Sequence, residues 1–285
     1  MLRIVTDGAT DMPEGWQEEY QINILPLRVS FGEKIYTQGE NFSFMDFYNL
    51  VKQTRIIPKT SLPSPGQVVD FYRRIAQKGD TILSMHVTGK LSGTLATIQA
   101  AAQELKEEYR IFPFDSGAGS AAVGFMCREA RILDRAGKTP EQILKRLERI
   151  RTRLTVIFTL DTLEFAHLSG RINAFQNALS SLLKVKPIVI LKDGLLEMAD
   201  RVRTRQKALE QVLETVRQRV GNRPANIAIV HAADPQAAQQ MLERIRNLLN
   251  VKESIITDLS IPVAANLGPG TIGIVAYPVD EEEEE

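Results

Sequence analysis

Cysteine occurs once in the 285 residues, at Cys127, so no disulfide can close within the chain. An excess of basic charge is also missing: 35 Lys and Arg face 35 Asp and Glu. A general nucleic-acid binder needs a basic face, and this balance argues against one. No apolar run approaches the roughly 20 residues of a membrane helix. The opening "MLRIVTDGATDMP" has neither the basic nor the long apolar region of a signal peptide. A cytoplasmic chain without stable membrane insertion is the expectation. The three histidines, His86, His167 and His231, show no H-x-x-x-H spacing and no neighbouring cysteine, which leaves a metal site unsupported. Nucleotide signatures are missing too. The "TGK" at 88–90 lacks the earlier glycine of a phosphate loop and is followed by Leu91, and no G-x-G-x-x-G or G-x-S-x-G occurs.

What the chain does have is alternation. "LRIVT" is an apolar run stopped by Asp7 and Gly8 and reads as a buried strand. Helical patterns over about 65–78, 94–109, 121–136 and 140–151 alternate with the apolar runs "TILSMHV" and "RIFPFD". Such alternation predicts a parallel sheet covered on both faces. The stretch 22–43 alternates around Gly32 and Gly39 and reads as a small antiparallel excursion. Beyond residues 151–156, "LTVIFTL", "KPIVILKDG" and "LLEMADRVR" read as strands, the last two joined by a hairpin at Asp193-Gly194. With a helix over 204–220 and further strands, this half predicts a two-layer α/β domain with a mixed sheet. The fold class is therefore α/β in two domains: 1–153, carrying an α/β/α layering with a parallel sheet, and 154–280. The acidic tail 281–285 reads as solvated.

Two hydroxyl-rich stretches precede helices. In "KTSLPSPGQ", Ser64, Pro65 and Gln67 make a capping box, which leaves Thr60 and Ser61 without a capping task. They are ordinary loop hydroxyls or ligand donors. In "KLSGTLAT", Ser92, Gly93 and Thr94 follow a strand and open a helix, a place where backbone N–H groups and hydroxyls favour an anion. There too a simple cap is the alternative. Open α/β sheets bind ligands outside the carboxyl ends of their strands, where both stretches are expected.

"IVTDGATDMP", "KTSLPSPGQ", "KLSGTLAT", "FDSGAGS", "SGRI", "RVRTRQKAL" and "NLGPGTIG" occur in that order over almost the whole chain. Together they resemble the DegV family of bacterial fatty-acid-binding proteins. The resemblance implies two domains with a long-chain fatty acid buried between them and no other cofactor. It also implies a non-catalytic carrier that presents the carboxylate to a fatty acid kinase. On the same basis the carboxylate-binding hydroxyls fall on Thr60 and Ser92, with Ser61, Gly93 and Thr94 as possible further contacts. The basic residue of the G-R-I segment falls on Arg171, and a kinase-docking arginine on Arg203. Asn266 stands where the family often has histidine, and Gly8 where it usually has serine. Phe165, Leu168, Phe175, Leu179 and Leu182 read as helix core or as lining of an acyl tunnel. Two other functions stay open: a stand-alone acyl-processing enzyme, and a lipid-responsive interaction protein.

Overall fold

In a computed structural model the described residues are 1–39, 42–172 and 185–279. Phe175, Leu179, Leu182 and the acidic tail lie outside them. The chain divides into two compact units, Met1–Thr152 with Ser260–Pro262, and Arg153–Leu259 with Val263–Glu285.

The first unit is built on a parallel sheet of β1 (Leu2–Asp7), β2 (Ile22–Leu25), β6 (Thr81–His86) and β7 (Arg110–Asp115), in the order β2-β1-β6-β7. Helices α3 (Pro65–Ile75) and α4 (Thr94–Glu104) cover one face. Their Val68, Tyr72, Ile98 and Ala101 pack on Val5 and Ile82 to form a core. Helix α5 (Ala121–Arg135) packs on β1 and β6 through a wholly buried first half, Ala121–Cys127. Alternating helix and strand thus produced the expected layering. Ile22–Leu25, however, does not belong to the antiparallel excursion. It runs parallel to β1, because its apolar side chains complete the core. The excursion itself comprises β3 (Arg28–Phe31), β4 (Lys34–Thr37) and the later β5 (Lys59–Ser61), in the order β4-β3-β5. Between the last two lies α2 (Phe44–Thr54), and an aromatic cluster joins these elements, with Phe31 in contact with Tyr36, Phe42 and Phe47.

The second unit carries a six-stranded mixed sheet: β8 (Thr155–Thr159), β9 (Lys186–Lys192), β10 (Leu195–Val202), β11 (Ala225–His231), β12 (Val251–Asp258) and β13 (Ile272–Pro278). Asp193 and Gly194, at φ +50° and +78°, form the two-residue hairpin turn between β9 and β10. The helices Arg205–Val220 (α8) and Pro235–Leu248 (α9) lay Val212, Val216, Met241 and Ile245 on the sheet's core face. The short α1 (Trp16–Glu19), α6 (Pro140–Arg153), a short α7 (Glu164–Ser169) and α10 (Ile261–Leu267) complete the described helices. Among the described residues no helix is long and apolar enough to cross a membrane.

Cys127 is fully buried on α5, and burial pushes its thiol up to about 12. Thiolate is the reactive form. The native protein is therefore expected to resist an aromatic disulfide reagent at pH 8 and to release one thiol only on unfolding. Stoichiometric labelling within seconds under native conditions would contradict this packing.

Candidate functional site

The chain enters the first sheet at β1, steps outward to β2, then returns to the other side of β1 for β6 and β7. The strand order therefore reverses between β1 and β6, and ligands of open α/β sheets bind at such a point, beyond the carboxyl ends. Here β1 ends at Asp7 and β6 at His86. His86 Nδ1 donates to Asp7 Oδ2 at 2.7 Å and joins the two strand ends. The chain of bonds goes further: Ser84 Oγ lies 2.7 Å from His86 Nε2, and Tyr72 Oη lies 2.7 Å from Ser84 Oγ. Asp7 can only accept, so the order that fills every group runs from Tyr72 O–H to Ser84, from Ser84 to His86, and from His86 to Asp7. Asp7 Oδ1 also accepts from the Ala9 N–H at 2.9 Å.

Serine, histidine and aspartate in this order are the parts of an acyl-transfer triad. All three side chains, however, are completely buried, and Tyr72 occupies the serine. Burial drives the Tyr72 phenol above its ordinary pKa, partly offset by the Ser84 hydrogen bond. With no exposed surface at Ser84, the network is placed to brace the strand ends rather than to attack an ester.

The loop that leaves β6 is held firmly. Thr88 N donates to Ala118 O at 2.7 Å, while Leu91 N and Ser92 N both donate to Thr88 O, at 3.0 and 3.2 Å. Ser92 is half-buried. Its Oγ accepts from Thr94 N at 3.2 Å and shares a 2.9 Å hydrogen bond with Thr94 Oγ1. The cap position itself is Gly93, without a side-chain bond, and Thr94 is fully buried. Ser92 thus stands one residue outside the helix. The first-turn N–H groups beyond Thr94 have no acceptor one turn back within α4.

Thr60 lies on β5, opposite Val29 of β3, and is half-buried; Ser61 is exposed. Ser64 and Gln67 form the predicted capping box with Pro65 in the first turn, so the cap of α3 needs neither Thr60 nor Ser61. The two hydroxyl-bearing segments meet through Leu62 and Gly93: a Cβ on Gly93 would lie 3.2 Å from Leu62 Cδ2. Glycine here allows the close approach. At Gly8, a Cβ would lie 3.2 Å from the backbone nitrogen of Leu27, so the missing side chain makes room for the segment after β2.

Arg171, Arg203 and Asn266 belong to the second unit. The Arg171 guanidinium folds back to donate to the Ser169 carbonyl. Asn266 sits near the end of α10, just ahead of Gly268 at φ +86°. Arg203 is exposed between β10 and α8, where Thr204 caps the helix by accepting from Lys207 N at 3.3 Å. Sequence reasoning singled out Arg203 and missed the use made of Arg205. The Arg205 guanidinium donates to Gly270 O at 2.8 Å and to Asp234, clamping the glycine-rich turn. The period of the R-x-R-x-R run places Arg203 and Arg205 alike, and partners distant in the chain, Asp161, Asp234 and Gly270, separate their roles. Phe165 is buried and faces Gly268, whose Cβ would stand 2.8 Å from Phe165 Cδ2. Leu168 is 65% exposed and is not part of the described core.

The architecture is that of a two-unit α/β protein with hydroxyl-bearing loops at the reversal of a parallel sheet. A family model described as "Uncharacterised protein, DegV family" matches residues 1–279, and the chain belongs to that family. It is similar to a DegV family protein of Thermus thermophilus whose structure was described for fatty acid binding. The identity is 33%, the TM-score 0.89, and 98% of this chain and 99% of that one are covered. DegV of Bacillus subtilis, described as a fatty acid binding protein, superposes with a TM-score of 0.86 at 28% identity, over 98% and 99% of the two chains. A fatty acid-binding protein of Thermotoga maritima is 29% identical over 95% of this chain and 96% of its own.

Proposed function

We propose that this protein binds a long-chain fatty acid, holds its carboxylate on Thr60 and Ser92, and presents it to a fatty acid kinase. The observation that carries the reading is the meeting of the Thr60–Leu62 and Ser92–Thr94 segments beside the strand reversal of the first sheet. Hydroxyl groups donate to a carboxylate, and the start of α4 adds N–H groups and the positive end of a helix dipole. Gly93 and Thr94 are the secondary contacts, with Thr94 acting through its bond to Ser92, while Ser61, next to Thr60 on the same strand, leaves the opposite face. The acyl chain supplies most of the affinity, about 0.8 kcal/mol per buried methylene before the cost of immobilisation. The relatives described as fatty acid binding support the lipid class. On this reading the protein is a cytoplasmic carrier without catalytic groups of its own, and the kinase supplies the chemistry.

Calorimetric titration of lipid-stripped protein with a long-chain fatty acid tests the reading. It expects one site per chain and a negative heat-capacity change. Heats no larger than dilution, from folded protein, would overturn it.

Arg203 separates binding from presentation. The guanidinium is exposed and suited to a bidentate contact with a partner's carboxylate or phosphate. Arg203→Ala is expected to leave fatty acid affinity within about twofold while slowing phosphorylation of the bound acid by a cognate kinase about tenfold, the cost of one charged hydrogen bond. Equal losses in both assays would make Arg203 part of the lipid site, and a loss in neither would leave it an ordinary surface charge.

A further inference from the structure

A pocket of about 220 Å³ opens on the first unit, between the segment after β2, strand β5 and helix α3. Its apolar lining comes from Leu25, Pro26, Leu62, Pro63 and Phe71. Two arginines, Arg28 and Arg74, line it as well. Arg74 lies 5.5 Å from the centre of the Phe71 ring, a cation–π contact that orients the group without using its N–H donors. Among the described residues, neither arginine has a carboxylate within ion-pair distance. Five other arginines of the first unit, Arg3, Arg73, Arg110, Arg131 and Arg146, are each paired with an acid. Asp70 is the pocket's acid, so two positive charges face one negative.

We propose that this pocket docks an acidic, apolar-flanked segment of a protein partner. The size decides against a larger small molecule, since drug-sized ligand sites run from about 300 to 1,000 Å³. A volume of 220 Å³ takes one or two side chains. The two guanidiniums select carboxylates, and the leucine, proline and phenylalanine surface selects an apolar neighbour. The charge of residues 1–279 agrees. Residues 280–285 hold six of the 35 acidic groups, which leaves 29 against 35 basic groups over residues 1–279, a net charge of +6. The position is informative as well. Successive side chains of a strand leave opposite faces, and Ser61 lines this pocket while Thr60 turns the other way. A docked partner would therefore sit against the strand that carries the proposed carboxylate donor, although the pocket's own chemistry stands without the lipid reading.

Fluorescence anisotropy tests the proposal on the full chain with two labelled, amidated peptides, Leu-Glu-Phe-Glu-Leu and Leu-Lys-Phe-Lys-Leu. The acidic peptide is expected to bind and the basic one not to. Arg28→Ala with Arg74→Ala should weaken the acidic peptide at least about tenfold, since each charged hydrogen bond is worth that much. Fatty acid titration of the same double variant should be unchanged. Equal binding of both peptides, or an acidic peptide indifferent to the double variant, would overturn the proposal. Complete displacement by millimolar sulfate would reduce the pocket to a simple anion site. Binding only after removal of residues 280–285 would make the chain's own tail the occupant. Loss of fatty acid binding in the double variant would move the lipid headgroup here instead.

Discussion

Replacing Thr60 by Val and Ser92 by Ala together is expected to weaken fatty acid binding at least about tenfold, because a hydrogen bond to a charged group contributes about 1.5–3 kcal/mol. The fold should persist. Thr60 holds its place through the backbone ladder to β3, and Ser92 through its N–H bond to Thr88. The two losses need not add, since both hydroxyls address one carboxylate. Valine keeps the shape of threonine and removes only the donor. Ser92→Ala also frees Thr94 N and Thr94 Oγ1 from their partner, so Thr94 is expected to turn partly toward the ligand and soften the single change. Thr60→Val alone is thus the cleaner measurement. Unchanged affinity in the double variant would place the headgroup elsewhere.

His86→Leu is expected to lower the stability of the first unit by about 3–5 kcal/mol, the cost of breaking a buried pair from one side. The substitution leaves the Asp7 carboxylate inside the sheet with the Ala9 N–H as its donor, and leaves Ser84 and Tyr72 to satisfy each other. Asp7→Asn with His86→Leu should recover much of the loss, because the uncompensated charge is then gone. Trp16, the chain's one tryptophan, lies buried in the same unit 6.0 Å from Phe125, so its fluorescence in urea reports this unit's unfolding. A midpoint shift equivalent to less than about 1 kcal/mol would mean that the pair contributes no more than a neutral hydrogen bond. A double variant no more stable than His86→Leu would remove the charge argument.

The parts of this structure that could be read in advance are those written in local sequence. The capping box of Ser64 and Gln67, the Asp193-Gly194 hairpin and the helices after each strand follow from neighbours a few residues apart. Local sequence leaves Thr60, Ser61 and Ser92 as hydroxyl candidates near helix starts, and the resemblance to the DegV family narrows the carboxylate donors to Thr60 and Ser92. What stayed hidden depends on partners distant in the chain. Asp7 and His86 are 79 residues apart, and their bond exists only because β6 returns to lie beside β1. Arg205 differs from Arg203 through Asp161, Asp234 and Gly270. Ile22–Leu25 looked like part of the excursion because a four-residue apolar strand has the same alternation in either setting; its core partners decide. The pocket of Arg28 and Arg74 joins an antiparallel strand to a helix 37 residues further on, a juxtaposition no local pattern records.

Native mass spectrometry of the full chain, purified without detergent and then denatured for comparison, tests the central claim most directly. The folded protein is expected to carry one added mass in the range of a long-chain fatty acid, which disappears on denaturation and is recovered by organic extraction. A folded chain at its bare mass, which takes up no added oleate, would contradict the account.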